Sequence, residues 1–188
     1  MKTAVKAAVA AALVMGISNF ATAASTGSNT GTVTFTGTIE DSPCSIVVGD
    51  EHQTVNLGHI GTGSLMGGKE SSKVDFHIGL ENCAFSTEKE ASTIFSAIGN
   101  ESSANPGNVA LMRIGGGAMA GSSIVIGNHL GTAIALGSEY KENLAMNGSV
   151  AAAKQTLNFK AWVKGDSSAT SIDTGEFSST VNFTISYL

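Results

Sequence analysis

The residues most open to a chemical role are Gly63-Ser64-Leu65-Met66-Gly67-Gly68-Lys69, which fill the first seven positions of a phosphate-binding P-loop. Such a loop cradles phosphate with backbone N–H groups, neutralises it with the lysine, and holds magnesium through a Ser or Thr hydroxyl at the eighth position. Here the eighth residue is Glu70, whose carboxylate repels phosphate, and the run leads into an alternating strand pattern rather than a helix. A glycine-rich turn accounts for it better. No Gly-x-Ser-x-Gly elbow presents a nucleophilic serine. His52, His59, His77 and His129 are scattered with no i,i+4 pair, so surface positions account for them better than metal ligation. Carboxylates are many, but no motif sets two of them across a cleft. The expectation is a chain with no catalytic residue, no metal and no cofactor.

The remaining reactive residues are Cys44 and Cys83, and their chemistry depends on where the chain goes. Lys2 and Lys6 form a positive n-region, residues 7–17 an apolar h-region, and Ala21-Thr22-Ala23 a small-residue cleavage site, so residues 1–23 read as a signal peptide. Export into an oxidising compartment makes a single disulfide the natural reading of two cysteines. Zinc is the rival, and two isolated cysteines without paired histidines argue against it. A bridge closing about 40 residues would contribute about 4 kcal/mol by the chain-entropy model. The early apolar run is short for a membrane span, and nothing later approaches the roughly 18 apolar residues one needs. The mature protein is therefore expected to be exported and soluble. Removing 23 of 188 residues leaves enough chain for one domain with a core of its own. The net charge of −5 becomes more negative once Lys2 and Lys6 are lost, which excludes nucleic acid as a natural partner.

The elements that position these residues are strands. Gly (23 residues), Ser and Thr are abundant, aromatics are few and prolines number two, which suits short strands joined by glycine turns. Alternation predicts strands over Val33–Ile39, Ser45–Val48, Thr54–Leu57, Lys73–Leu80, Thr93–Ile98, Val109–Ile114, Ser123–Ile126, Thr132–Leu136, Thr156–Val163 and Val181–Tyr187. The cleanest is Lys73–Leu80, with Val74, Phe76, Ile78 and Leu80 on one face. This spacing predicts an all-β sandwich. Thr87-Glu88-Lys89-Glu90 has the form of a capping box and reads either as one helical turn or as a solvated loop. Trp162 faces away from Leu157, Phe159 and Ala161, so it either packs on the second sheet face or meets another subunit.

Both ends of the exported chain read as strands built for pairing. Val181, Phe183, Ile185 and Tyr187 alternate with polar residues at the C-terminus, and Gly31, Val33 and Phe35 alternate with threonines near the N-terminus. Together with the cysteines and the export signal, these ends resemble the pilin subunits of chaperone–usher fimbriae, close to the type 1 major-pilin group. The resemblance spans the mature chain and is carried by Gly31-Thr32-Val33-Thr34-Phe35, Thr54-Val55-Asn56-Leu57-Gly58, Phe76-His77-Ile78-Gly79-Leu80-Glu81-Asn82-Cys83 and Phe183-Thr184-Ile185-Ser186-Tyr187-Leu188, with Tyr187 penultimate and Gly175 upstream.

The resemblance implies an incomplete immunoglobulin-like sandwich whose last strand is supplied by another chain through donor-strand exchange, a form of β-augmentation. Residues 24–38 would be the donor extension, with Asn29, Gly31, Val33, Phe35 and Gly37 facing a neighbour's groove, and residues 39–188 the pilin domain. Gly175, Val181, Phe183, Ile185 and Tyr187 would border the acceptor groove, filled first by a periplasmic chaperone. The implied partners are identical or related pilin subunits, that chaperone and an outer-membrane usher. The implied location is an extracellular fimbrium reached through the periplasm, and the implied role is structural, in support of cell adhesion. A minor adaptor or tip-associated pilin is the alternative. A lectin-bearing tip adhesin would need another domain ahead of Cys44, where only the short arm stands. A self-contained secreted sandwich would pack its N-terminal strand within its own chain.

Overall fold

The computed structural model describes residues 31–188 except Ser86. The chain divides into two units between Ile39 and Glu40. Of the first unit, residues 31–39 enter no helix or sheet, although alternation predicts a strand over Val33–Ile39. A strand needs a partner for its backbone groups, and none of the described residues provides one there.

The second unit is a two-sheet sandwich. The first sheet has the order β1 (Ser45–Ile46), β2 (Val74–Glu81), β10 (Gln155–Gly165), β5 (Ala118–Asn128) and β4 (Val109–Met112), with β6 (Ala133–Ile134) also on β5. The second sheet has the order β11 (Asn182–Tyr187), β3 (Glu90–Ser96), β7 (Glu139–Asn143), and a short hairpin joins β8 (Met146–Asn147) to β9 (Val150–Ala151). All the pairings between these strands are antiparallel.

Register explains the core. In the β2–β10 pair Leu157 lies opposite Ile78 and Phe159 opposite Phe76, so the apolar parity of both strands falls on one face. Phe159 is 1% exposed and ties the two sheets together: its ring centroid lies 5.5 Å from Phe76, 5.0 Å from Phe95 of β3 and 5.9 Å from Tyr140 of β7. A second, smaller cluster gathers Leu65, Leu111, Met119 and Val163, with Leu57, Ile60, Ile172 and Phe177 packed against it.

Several predicted elements change. Thr54–Leu57 enters no sheet, and no helix forms over Thr87–Glu90, where β3 begins instead. The strands β7, β8 and β9 were not foreseen. In β7 the charges of Glu139, Lys141 and Glu142 mask the alternation. The P-loop look-alike is a turn: a 3-10 helix over Thr62–Ser64, then Leu65 plugging the small cluster while Lys69 stays exposed. Trp162 is 1% exposed, with the Lys73 ammonium 4.2 Å from its ring, so it packs on the second face of its sheet. All four histidines are exposed.

Candidate functional site

The strand β11 stands at the edge of its sheet and pairs on one side only, with Phe183 opposite Phe95, Ile185 opposite Thr93 and Tyr187 opposite Ala91. Among the described residues, no hydrogen bond reaches its backbone from the other side. An edge strand can keep its outer groups solvated, but here the side chains are incompletely covered as well. Val181, Phe183, Ile185 and Tyr187 pack against the main core yet remain half-buried, while their equivalents on central β10 are buried. One face of the core thus ends in an open apolar flank beside a row of unpaired backbone groups, the arrangement that accepts a further strand.

The flank is held at its C-terminal end. The N–H groups of Lys89 and Glu90 donate to the Leu188 oxygen at 2.7 and 3.1 Å, and the Leu188 N–H donates to Glu90 O at 2.9 Å. Phe85 lies 5.2 Å from the Tyr187 ring. The Cys44–Cys83 disulfide pins the segment 40–44 to the end of β2. A cleft of about 390 Å³ follows, lined by Glu40, Asp41, Ser42, Pro43, Glu88, Ile185, Ser186 and Tyr187. Burial holds the Tyr187 hydroxyl above the usual phenol range; a hydrogen bond with Ser42 opposes this and Glu40 adds to it.

Gly175 lies apart from that cleft, on the segment leading into β11. It lines a cavity of about 90 Å³ over the small cluster, between Leu111, Met119, Ile172 and Phe177. Its φ of 134° is a conformation that favours glycine. Beside it Arg113 donates to Thr174 O and to the Asp173 carboxylate, 3.0 and 2.7 Å away. The Ala120 N–H and the Arg113 guanidinium hold the Asp173 carboxyl below the usual carboxylate range. Of the five residues expected to border an acceptor groove, Val181, Phe183, Ile185 and Tyr187 therefore share one flank, and Gly175 stands upstream of it.

Of the residues expected to form a donor strand, Asn29 lies outside the described residues. Gly31, Val33, Phe35 and Gly37 lie on the unpaired stretch, where Val33 is 75% and Phe35 90% exposed. A further unpaired run, residues 54–57, was expected to be a strand. Val55 and Leu57 are half-buried there while Thr54 and Asn56 are exposed, so the period of two persists without a ladder. Among the described residues no group of three or more His, Cys, Asp or Glu could hold a metal, and no helix is long and apolar enough to cross a membrane.

Comparison with known proteins places this architecture. A family model described as "Fimbrial protein" matches residues 33–188. The chain is 39% identical over 188 residues to the uncharacterized fimbrial-like protein YfcV of Escherichia coli K12, covering 98% of each, and 35% identical over 182 residues to the Fimbria A protein of Serratia marcescens, covering 97% of each. Among solved structures, a subunit of a chaperone–usher pilus, from a study of rod uncoiling, superposes with a TM-score of 0.68 at 24% identity, over 86% of this chain and 98% of that one.

Proposed function

The chain belongs to the fimbrial protein family, and from that premise we propose that it polymerises by donor-strand exchange, the arm of one copy closing the β11 flank of the next. The family makes the protein a structural, non-enzymatic subunit of an extracellular fimbrium that assembles with other pilin subunits, on an incomplete immunoglobulin-like sandwich.

The observation that carries the mechanism is the state of β11: an edge strand with one ladder free and an apolar face left half-exposed. Such an edge is an aggregation hazard in a protein meant to stay alone, and it is a socket in one meant to polymerise. The arm supplies the matching half. Val33 and Phe35 expose apolar side chains on one parity, Thr32, Thr34 and Thr36 occupy the other, and Gly31 and Gly37 share the apolar parity. Asn29 extends the same parity. The half-buried run 54–57 offers a second set of unpaired backbone groups for the incoming strand. During export through the periplasm, a chaperone strand occupies the flank until the exchange at an outer-membrane usher. The resulting fibre serves as a shaft that supports adhesion.

Deletion of residues 24–38 tests this. The truncated subunit is expected to bind a synthetic peptide of residues 24–38 and to form no ordered polymers; ordered polymers of the truncated subunit would refute the donor role. Introducing charge at Phe183 tests the acceptor. The Phe183→Asp subunit is expected to escape chaperone capture, and normal capture would refute the assignment of the flank.

A further inference from the structure

The first sheet also has an edge, at β2, and it is treated differently from β11. Beyond the two-residue β1, the outer edge of β2 at His77–Gly79 has no strand on it. In its place the chain turns away over Val47–Gln53 and returns side chains to the vacated ladder positions. The Val47 N–H donates to Gly79 O at 2.9 Å, the Gly79 N–H donates to Asp50 Oδ2 at 2.7 Å, and Gln53 Nε2 donates to His77 O at 2.6 Å. Gln53 Nε2 also donates to the Asp50 backbone carbonyl at 3.1 Å, which ties the Gln53 side chain to the backbone that carries Asp50. His77 Nε2 lies 3.9 Å from the same Asp50 carboxylate.

The fit is close. A Cβ built on Gly79 would stand 2.9 Å from both Asp50 Oδ2 and Val47 Cγ2, so only glycine lets the crossover settle onto the strand. Three of the four outward backbone groups of His77 and Gly79 are thus taken by this one segment, whereas on β11 the outward row is left open. Exposed edges accept strands without regard to which sheet they belong to, because the ladder is made by backbone alone. An open edge on β2 would offer an incoming strand a competing site.

We infer that Asp50 and Gln53 form an edge clamp on β2 that keeps strand addition off this edge. The clamp removes β2 as a docking edge, and it rests on the donor-strand reading above. It also explains where the chain parts from the first sheet: once Asp50 and Gln53 take over the ladder, the backbone of residues 54–57 is released from β2 and remains unpaired.

The test is residue-resolved hydrogen exchange on the full chain, with and without a synthetic peptide of residues 24–38. In the unaltered protein the Gly79 amide is expected to be slow already and indifferent to peptide, while β11 amides slow on peptide addition. In the Asp50→Ala/Gln53→Ala double variant, Gly79 exchange is expected to rise about tenfold or more, then to fall again with peptide as a second copy binds along β2. Gly79→Ala, which displaces the crossover without altering the clamp's chemistry, is expected to behave like the double variant. Asp50→Asn, which keeps an acceptor oxygen, is expected to behave like the unaltered protein. One peptide per chain, bound at β11 alone in both the double variant and Gly79→Ala, would overturn the clamp. Absence of any peptide protection in the unaltered chain would instead overturn the donor-strand reading.

Discussion

Phe35→Ala in the arm offers the sharpest measure of strand donation. In the unpaired arm Phe35 is 90% exposed, so nearly its whole side chain remains to be buried when the strand docks. Burying a Phe contributes about 1.5 to 3 kcal/mol, and with nine-tenths of it still in water the upper half of that range applies, roughly 2 to 3 kcal/mol. At about 1.4 kcal/mol per tenfold, the loss is roughly 30- to 150-fold in affinity. Most of it should appear as faster dissociation, because related complexes differ chiefly in off-rate. The assay displaces a fluorescent peptide of residues 24–38 from the arm-deleted subunit and compares the unaltered sequence with its Phe35→Ala and Thr34→Ala versions. Thr34 lies on the opposite parity, so its truncation should change dissociation only a few-fold. Equal effects of the two substitutions would refute the parity, and no effect of either would refute docking through this face.

Three further outcomes follow from the sandwich itself. Desolvation raises the carboxyl of Glu142, whose Oε2 is buried without a hydrogen-bond partner, while His129 acts in the opposite direction. A carboxyl raised on folding opposes stability while ionised, and that opposition fades as pH falls through the raised value toward the ordinary value of about 4.3; Glu142→Gln should therefore raise the urea midpoint at pH near 7 and converge with the unaltered protein in acid. Replacing Cys44 and Cys83 by serine should lower unfolding free energy by about 4 kcal/mol in urea titrations, from a loop of about 40 residues released in the unfolded chain. Phe159→Ala, which removes the ring between Phe76, Phe95 and Tyr140, should cost about 3 to 5 kcal/mol by the same measurement.

The strands that read clearly in the sequence are those whose alternation coincides with burial. Lys73–Leu80 was set within a residue of β2 because Phe76, Ile78 and Leu80 face one core and Asp75 and His77 face water. The alternation over Thr156–Val163 falls inside β10 and stops two residues short of its end, because Lys164 and Gly165 carry no apolar side chain to extend the pattern. β7 was missed because Glu142 turns a carboxylate toward the interior side of an edge strand, against the usual rule. Two expected strands, over residues 33–39 and 54–57, have the pattern of strands and no ladder. On the donor-strand reading proposed above, their sequences encode half of a pairing whose other half is not in the described residues. The edge strand β11 was legible from Val181 to Tyr187, while Asp50 and Gln53 were not: their partners lie 29 and 24 positions away and no local motif announces them.

Charge distribution bears on how far an arm can be drawn into a neighbour. Residues 24–39 contain no charged side chain, and the first charges, Glu40 and Asp41, come directly after Ile39. A strand entering an apolar flank loses water from its side chains, and a carboxylate on the inward face would incur several kcal/mol of desolvation, roughly, unless paired. The uncharged stretch can therefore be buried along its length, whereas Glu40 and Asp41 mark a stop. In the subunit that carries them these two residues line the cleft beside Tyr187, bound in place by Cys44 a few positions on. The boundary is thus set twice, by solvation of the arm and by the covalent anchor of the domain. Moving a charge inward, with Thr36→Glu on the solvent parity and Phe35→Glu on the apolar one, separates burial of a charge from its mere presence on the arm. Only Phe35→Glu should abolish docking if solvation of the inward face governs, and equal loss from both would mean that net charge near the arm's root is what the neighbour rejects.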